Sequence, residues 1–420
     1  MKLVCLGGAG AMASSALYDL YKTSTFSDMV IADADEAKAR RIMALMDGDK
    51  RFSFVPLDAA RKNEIVKVIR GADYVLDGLP DQFIFNFMDA VAEVGVSGVS
   101  FNDIGIEESA KRTYDSSVIE KTGATLSHYS AALEDSGCAV LLDNGGSTIT
   151  SLMAILGCEQ LDEVEEINEY WSLWRPVTQA SPGLVDAAIV QFDPRSRDRI
   201  YWERGEYIRG LPPFALLKEW DFPQPIGRQL TYMLEHKEPV IPLIPIVRQK
   251  GAKRVVVRGA FHPQWTRLAM VLVENGIFEA EPIELQGVKV SPYEVVMKHI
   301  ERHAEEKWED SNVIAQELGF VPRDILSTEV IGSKSGIGRR IVYHCIPPFP
   351  FFEGKPVTAS MEYGSFVGVT CSIALQMLAR GEIRDKGAFI IQTTDISAAA
   401  VLKEYEKRGF TLQQEPSFPV

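Results

Sequence analysis

The sequence of 420 residues lacks several features that mark other classes of protein. It has no apolar run long enough to span a bilayer, and no basic segment followed by an apolar leader precedes the first predicted strand. Its five cysteines are scattered, without a Cys-x-x-Cys pair. We therefore expect a cytoplasmic protein with reduced, buried thiols, which has neither a disulfide framework nor a membrane anchor.

Positive charge is scarce as well. The chain has 44 lysines and arginines against 58 aspartates and glutamates, which gives a formal net charge of −14. This balance argues against nucleic acid or an anionic membrane as a partner, so a small molecule is the expected partner. The hydrophobic fraction of 46% is ordinary for a globular enzyme, and the length suffices for two domains.

Motifs for metal binding and for nucleophilic catalysis are also missing. His299 and His303 lie one helical turn apart, but the sequence between them is not His-Glu-x-x-His and the surrounding residues are charged. We interpret this segment as a solvated helix face and predict no metal site. The sequence contains no Walker loop and no Ser-x-Gly elbow.

The most informative stretch that is present runs from residue 2 to residue 33. A short apolar run, 2–6, is typical of a buried strand, and residues 8–13 read Gly-Ala-Gly-Ala-Met-Ala. A helical stretch and a second apolar strand follow, and that strand ends at Asp33. The order of strand, tight turn, helix, strand and acid is the fingerprint of a dinucleotide-binding fold.

Each small residue of this turn has a physical reason. Gly8 allows the sharp turn, Gly10 lets the backbone approach a pyrophosphate, and Ala13 lets the helix pack close to the sheet. The phosphates would bind to free amide groups at the positive end of the helix, where Ala11 and Met12 lie. The alternative is a glycine-rich turn in a Rossmann domain that binds no nucleotide.

Asp33 also bears on the choice between NAD and NADP. A carboxylate at this position can accept both ribose hydroxyls and repels a 2′-phosphate. The next residue is Ala34, where an arginine would pair with the extra phosphate. These residues favour NAD, but Lys38, Arg40 and Arg41 follow within reach of a phosphate, so NADP stays open.

Strands and helices continue to alternate up to about residue 143, which predicts an α/β fold with a parallel sheet. Ligands of such sheets bind at the carboxyl ends of the strands. Leu79 and Pro80 follow the fourth predicted strand, so they are expected to line the nicotinamide side, or else only to terminate the strand. The fifth strand ends in Asn102 and Asp103 at the same edge.

From residue 164 the predicted strands are antiparallel and mixed with helices, which indicates a second α/β domain with a mixed sheet. We assign 1–145 to the dinucleotide-binding domain, completed by 360–420, and 146–359 to the second domain.

Several segments of this chain resemble the saccharopine dehydrogenase superfamily, and within it the branch that is similar to lysine 6-dehydrogenase and carboxynorspermidine dehydrogenase. The resemblance covers most of the length. The segments that carry it are 8–13, 32–39, 79–83, 161–165 with Arg175-Pro176, 258–262 and 374–383.

The resemblance implies a Rossmann domain completed by C-terminal helices and an inserted α/β domain that carries the substrate and a homodimer contact. It implies hydride transfer between a nicotinamide cofactor and the CH–NH bond of an amino-acid-like amine or imine. Two alternatives stay open. One is an NAD-binding sensor or scaffold without turnover, and the other is a transferase of the homospermidine synthase type that recycles bound NAD.

The sequence departs from the family near the expected substrate pocket. Many members have Pro-Gly where this chain has Thr148-Ile149, and Pro-Pro-Glu where it has 392–394, Gln-Thr-Thr. The acid that often ends the fifth strand is displaced to Asp103, with Ser100 in its register. The identity of the substrate is therefore open.

Amine oxidation needs a proton acceptor and a cation that holds the carboxylate of the substrate. Arg175 and Arg258 are the candidate anchors, because a guanidinium binds a carboxylate through two parallel bonds. His262 and Asp103 are the candidate acid–base residues, and Trp174 is a candidate wall of an apolar pocket. Each of these residues has an equally ordinary structural interpretation, as a surface arginine, a hydrogen-bonded histidine or a core aromatic residue.

Overall fold

The computed structural model describes residues 1–102, 129–174, 189, 191–196, 199–235, 246, 249–303, 307–317 and 324–419. Two predicted site residues, Asp103 and Arg175, lie outside the described residues. The chain folds into two compact units. The first unit comprises Met1–Leu152 with Gly364–Gly409, and the second comprises Met153–Tyr363 with Phe410–Val420.

The first unit contains a sheet of seven strands in the order β19-β6-β5-β4-β1-β2-β3, in which every neighbouring pair is parallel. Its core strands are continuous apolar runs, as expected for strands that helices cover on both faces. The α/β fold class predicted from the sequence is confirmed. The strands are β1 (Lys2–Leu6), β2 (Asp28–Asp33), β3 (Phe52–Pro56), β4 (Tyr74–Asp77), β5 (Ser97–Ser100), β6 (Ala139–Leu141) and β19 (Gly387–Phe389).

Helices connect these strands, and the late helices return from the C-terminal part of the chain. A Cβ atom added at Gly368 would lie 2.6 Å from the Met12 carbonyl oxygen, so α10 can pack this closely on α1 only with glycine there. Arg408 then donates from Nε to Asp19 Oδ2 at 2.8 Å and fastens the end of the unit to α1. The helices are α1 (Ala11–Thr23), α2 (Glu36–Leu45), α3 (Lys62–Ile69), α4 (Ile84–Val94), α5 (Gly146–Glu159), α10 (Ser365–Ala379) and α11 (Ala398–Glu406).

The second unit contains a sheet of ten strands whose main path is β10-β11-β12-β7-β16-β17-β20. Strands β7 and β12 are parallel and the other pairs are antiparallel, so the predicted mixed sheet is confirmed. The strands are β7 (Glu163–Leu173), β8 (Tyr201–Glu203), β9 (Glu206–Ile208), β10 (Lys218–Phe222), β11 (Gly227–Met233), β12 (Arg254–Phe261), β16 (Leu326–Lys334), β17 (Ile337–Ile346), β20 (Thr411–Gln414) and β21 (Phe418–Pro419).

Shorter elements complete the second unit. A two-residue turn with positive φ at Ser335 (52°) and Gly336 (75°) joins β16 and β17, which is the backbone conformation that a tight β-hairpin requires. The remaining elements are β13 (Ile283–Leu285), β14 (Val288–Val290), β15 (Glu309–Asp310), β18 (Pro356–Val357), α6 (Pro263–Glu274), α7 (Pro292–His303), α8 (Ser311–Glu317) and α9 (Ala359–Tyr363).

The structure differs from the sequence-based elements in four places. The residue pattern predicts one strand over 200–209, but this segment is a hairpin of two short strands, because Arg204 and Gly205 adopt positive φ between them. The pattern also predicts one helix over 361–379, but the helix is broken at Gly364. Strands β10 and β11 were not predicted. The C-terminal strand β20 pairs with β17 in the second sheet, although 360–420 was assigned to the first domain.

All five cysteines are buried and none forms a disulfide, in agreement with the prediction. Among the described residues, no helix has both the length and the apolar character needed to cross a membrane.

Candidate active site

The glycine turn between β1 and α1 is stabilised by its own backbone. The N–H of Gly7 (φ 63°) donates to the Ala32 carbonyl oxygen at 2.8 Å, and the N–H of Gly10 donates to the Gly7 carbonyl oxygen at 2.9 Å. A Cβ atom added at Gly8 would lie 3.0 Å from Ile31 Cγ2, so the predicted small residue is needed there. These contacts bring the end of β1 and the start of α1 to the end of β2.

The first turn of α1 presents backbone donors at its N-terminus. Hydrogen bonding begins with the Ser14 N–H, which donates to the Gly10 carbonyl oxygen at 2.9 Å. Gly10 is the N-cap and has no side chain to cap the helix. The N–H groups of Ala11, Met12 and Ala13 therefore stand outside the intrahelical ladder, at the positive end of the helix dipole, where a pyrophosphate would bind.

Asp33 lies directly against this turn. Its Oδ2 accepts from the Ala9 N–H and its Oδ1 accepts from the Asp35 N–H, both at 2.9 Å. The Asp35 side chain caps α2, and the Glu36 carboxylate pairs with Arg40 at 2.5 Å. Asp33, Asp35 and Glu36 thus place three acids near the glycine turn. Arg40, one of the cations that could bind the 2′-phosphate of NADP, is paired with Glu36.

The loop after β4 meets the glycine turn from the other side. The Gly78 N–H donates to the Leu6 carbonyl oxygen at 2.9 Å, and a Cβ atom added at Gly78 would lie 2.7 Å from Ala13 Cβ. Leu79 is buried with 7% of its surface exposed, whereas Pro80 is exposed and precedes a 3₁₀ helix, Asp81–Phe83. The loop is therefore held between the ends of β1 and β4.

A buried polar network, which the sequence analysis missed, lies at the ends of β4 and β5. Ser100 Oγ donates to Asp77 Oδ2 at 2.7 Å, and the Leu79 N–H donates to Asp77 Oδ1 at 3.1 Å. Asn102 Nδ2 donates to the Leu79 carbonyl oxygen at 2.9 Å. Burial raises the pKa of Asp77 to about 7, despite these hydrogen bonds. Asp77, the last residue of β4, is therefore one acid at this edge, and a polar residue that ends an apolar strand was the signal for it.

Two predicted substrate residues of the second unit lie side by side. Strands β7 and β12 are parallel and end in register at Leu173 and Phe261. Trp174 and His262 follow them, and their ring centroids are 5.8 Å apart in an edge-to-face contact. The Trp174 N–H donates to Asp324 Oδ1 at 3.1 Å, and His262 Nδ1 accepts from the Gln264 N–H at 3.3 Å, which caps α6.

Arg258 lies elsewhere on the same strand. It precedes His262 by four residues, which is roughly 13 Å along an extended strand. Its guanidinium is buried, with Nε donating to the Leu216 carbonyl oxygen at 2.9 Å and Nη1 donating to Asn168 Oδ1. Two of the Arg258 donors are therefore used in hydrogen bonds within the protein. A role of Arg258 in binding the carboxylate of the substrate stays a prediction.

Asn168 connects Arg258 to a buried carboxylate on β16. Glu329 Oε1 accepts from Arg340 Nε at 2.6 Å, and its Oε2 accepts from Lys218 Nζ at 2.9 Å and from Asn168 Nδ2 at 3.0 Å. Burial raises the pKa of Glu329, but Lys218 and Arg340 together hold it below its ordinary value. We call Glu329 with these three donors the Glu329 cluster.

The chain is similar to known proteins over its whole length. Residues 3–135 match the family described as the saccharopine dehydrogenase NADP binding domain. Carboxyaminopropylagmatine dehydrogenase of a Synechocystis species is 23% identical over 412 residues, which cover 94% of this chain and 93% of the relative.

Two solved structures show the same fold. Saccharopine dehydrogenase (L-Glu forming) of Saccharomyces cerevisiae has a TM-score of 0.68 at 15% identity and covers 100% of both chains. Homospermidine synthase of Legionella pneumophila, solved in complex with NAD, has a TM-score of 0.58 at 11% identity and covers 99% of this chain and 91% of that chain.

The glycine turn, the acid after β2 and the family match define a first domain of the type that binds NAD or NADP, and a second unit with a mixed sheet accompanies it. The chain is therefore similar to the saccharopine dehydrogenase superfamily, in residues 3–135 by the family match and over its length by the relative and the fold, which agrees with the resemblance seen in its sequence.

Proposed function

We propose that the protein transfers a hydride between a nicotinamide cofactor and the CH–NH bond of an amine that carries a carboxylate. The assignment of the cofactor rests on the Asp33 carboxylate, which accepts a hydrogen bond from the glycine turn at the N-terminus of α1. The full-length relative supports the substrate half, since its name denotes a dehydrogenase of a carboxylated agmatine derivative.

The cofactor, when bound, supplies the hydride donor or acceptor. The residues of the first unit then have separate tasks. The amides of Ala11, Met12 and Ala13 hold the pyrophosphate, and Asp33 accepts from the adenosine ribose hydroxyls. Leu79 and Pro80 pack beside the nicotinamide half. Each assignment follows from the position of the residue at the carboxyl edge of the parallel sheet.

In the second unit, Trp174 and His262 form the candidate substrate surface. His262 and Asp103 are the acid–base candidates for the proton that the amine loses. Arg175 and Arg258 would hold the carboxylate of the substrate. The edge-to-face contact of Trp174 with His262 supports a shared role for those two side chains.

We further propose that NAD is preferred to NADP, because Asp33, Asp35 and Glu36 place negative charge where a 2′-phosphate would bind. The variant Asp33→Asn tests this preference. It should weaken NAD binding about tenfold, or roughly 1.4 kcal/mol, and lower the ratio of NADP to NAD dissociation constants. Calorimetric titration measures both constants.

The matched control is Asp35→Asn, which removes the same charge two residues away and keeps an N-cap side chain for α2. Its NAD affinity should stay within about twofold of wild type, or roughly 0.4 kcal/mol. Equal losses in both variants would mean that general charge, and not contact with the ribose, sets the preference.

A homodimer in the cytoplasm is part of the proposal. Apolar side chains of the β13–β14 hairpin support it, since Ile283, Leu285 and Val288 are 49%, 55% and 62% exposed. Exposed apolar patches of this kind commonly mark protein interfaces. Light scattering during size-exclusion chromatography measures the mass, and a monomeric mass would refute this part.

Turnover with NAD and candidate amines tests the reaction. Lysine, saccharopine, diamines and carboxyaminopropylagmatine are offered singly at alkaline pH, with NADH fluorescence as the readout. NADH from one of them supports the dehydrogenase. The homospermidine synthase neighbour favours one second candidate, a transferase that recycles NAD. Product formed from two amines without net NADH would identify it.

A further inference from the structure

Asn144 carries a buried acceptor that the described residues leave unused. This residue follows β6 and is fully buried. Its Nδ2 donates to two carbonyl oxygens, that of Ser100 at 3.1 Å and that of Leu142 at 3.2 Å. These two acceptors fix the orientation of the amide, so the remaining atom, Oδ1, is the oxygen. Within the described residues, Oδ1 has no hydrogen-bond partner.

Gln392 is a second buried amide, and neither of its polar atoms has a partner in the described part of the chain. It lies in the 3₁₀ helix Ile391–Thr393, directly after β19, and only 8% of its surface is exposed. An unpaired buried polar atom is costly, so native proteins seldom keep three of them near one edge without a use.

Sheet register places these two amides over the same edge. Strands β6 and β19 are parallel neighbours in which Leu141 pairs with Phe389. The Leu142 N–H extends the pairing by donating to the Phe389 carbonyl oxygen at 2.9 Å. Asn144 lies three residues after Leu141, and Gln392 lies three residues after Phe389. Both therefore stand at the carboxyl end of the sheet, where parallel sheets bind their ligands.

The unused atoms define the chemistry of the ligand. Asn144 Oδ1 and Gln392 Oε1 are acceptors and Gln392 Nε2 is a donor, and all three are neutral. A primary carboxamide, with two N–H donors and one carbonyl oxygen, complements this set. Asp33 and the glycine turn lie on the β1–β2 side of the sheet, so the β4–β6 side is left for the other half of a dinucleotide.

We propose that Asn144 and Gln392 bind the carboxamide group of the nicotinamide ring and so fix the rotation of the ring about its glycosidic bond. The inference rests on the proposed function, because it assigns residues to the nicotinamide half of that same cofactor.

The test compares NAD with ADP-ribose, which lacks the nicotinamide ring, in calorimetric titrations of wild type and Gln392→Met. Methionine keeps the length of the side chain and removes both polar atoms. We expect the variant to bind NAD about tenfold more weakly and ADP-ribose equally well. Gln413→Met, on the exposed side of β20, is the control and should change neither constant.

A second measurement needs no variant. The NAD analogue with an acetyl group in place of the carboxamide has no N–H donor for Asn144 Oδ1, so wild type should bind it about tenfold more weakly than NAD. Equal affinity for NAD and the analogue, or equal losses of NAD and ADP-ribose in Gln392→Met, would overturn the inference while leaving the proposed function intact. Failure of wild type to bind either NAD or ADP-ribose would overturn both.

Discussion

Glu329 of the second sheet and Gln392 of the first unit are both buried polar side chains, but they differ in their surroundings. Glu329 accepts hydrogen bonds from Lys218, Asn168 and Arg340, which belong to three other strands. Gln392 makes none with the described residues. Both side chains are buried, so burial alone does not distinguish a structural side chain from one that binds a ligand. The hydrogen bonds that the surrounding residues make with the buried side chain do distinguish them.

The largest expected effect is on stability, from Glu329→Gln. Loss of the carboxylate charge leaves Lys218 and Arg340 facing each other beneath the Tyr170–Trp220 stack, whose ring centroids are 3.8 Å apart. We expect the free energy of unfolding to fall by about 2 kcal/mol, because a buried carboxylate that accepts charged hydrogen bonds loses its charge, whereas Lys218 and Arg340 are about one-third exposed and stay solvated. Urea unfolding measures the change.

The control for this variant is Glu219→Gln on β10. Glu219 is exposed, and its nearest cation, Arg228, lies 3.9 Å away. Its change should stay within about 0.5 kcal/mol. If Glu329→Gln changes the free energy of unfolding as little as the control does, the Glu329 cluster does not stabilise the second sheet. Glu329 would then not be an example of a structural buried group.

Asp77 stands between the two cases, since it is satisfied by hydrogen bonds yet its pKa is raised by burial to about 7. An aspartate in the unfolded chain has a pKa of about 3.9. Between these values the folded state binds more protons, so the free energy of unfolding falls as pH rises, by up to about 1.4 kcal/mol per pH unit. Asp77→Asn should remove that slope.

Measuring unfolding of wild type and Asp77→Asn at several pH values within this window isolates the contribution of Asp77. Burial also raises the pKa of Glu362, in the second unit, to about 7. The free energy of unfolding of both proteins therefore has a second pH dependence, which comes from Glu362. The difference between the two proteins cancels the Glu362 contribution. Parallel curves for wild type and Asp77→Asn would contradict the predicted protonation.

The smallest effect is expected from Gln392→Met in the protein without cofactor. No hydrogen bond with the described residues is lost, so the free energy of unfolding should stay constant or rise by up to about 1 kcal/mol. Gln376→Met is the matched control, because the Gln376 amide is buried and hydrogen-bonded to Thr23 and Ser372. That variant should lose about 1 kcal/mol. A larger loss for Gln392→Met would place Gln392 among the structural groups.

Local patterns explain which parts of the fold could be predicted. The turn at Gly8 and Gly10 and the acid Asp33 lie within one strand–helix–strand segment, where spacing along the chain fixes spacing in space. Strands β10 and β11 were missed because Lys218, Glu219 and Asp221 surround Trp220 with charge. Tertiary contacts, above all the stacking of Trp220 on Tyr170, make this segment a strand of the sheet.

The rest of the candidate site depends on residues that are far apart in sequence. Asp77 and Ser100 end β4 and β5, and Asn144 and Gln392 follow β6 and β19. Only the parallel order of the sheet brings these four strand ends to one edge. Arg258 shows the converse: its residue type suits a carboxylate, but Asn168 of the neighbouring strand occupies one of its donors. Residue type alone could not reveal that contact.

The most direct test of the account is a calorimetric titration of NAD into wild type and Gly10→Ala. A Cβ atom at Gly10 would lie 3.2 Å from the Gly7 carbonyl oxygen, so the turn must shift by a few tenths of an ångström, and the melting temperature of the variant is measured beside its affinity. The added methyl group would stand where the backbone approaches the pyrophosphate. We predict NAD binding by wild type and its loss in Gly10→Ala, with melting temperatures alike. No binding by wild type, or equal binding by both proteins, would contradict the assignment of the dinucleotide to this turn.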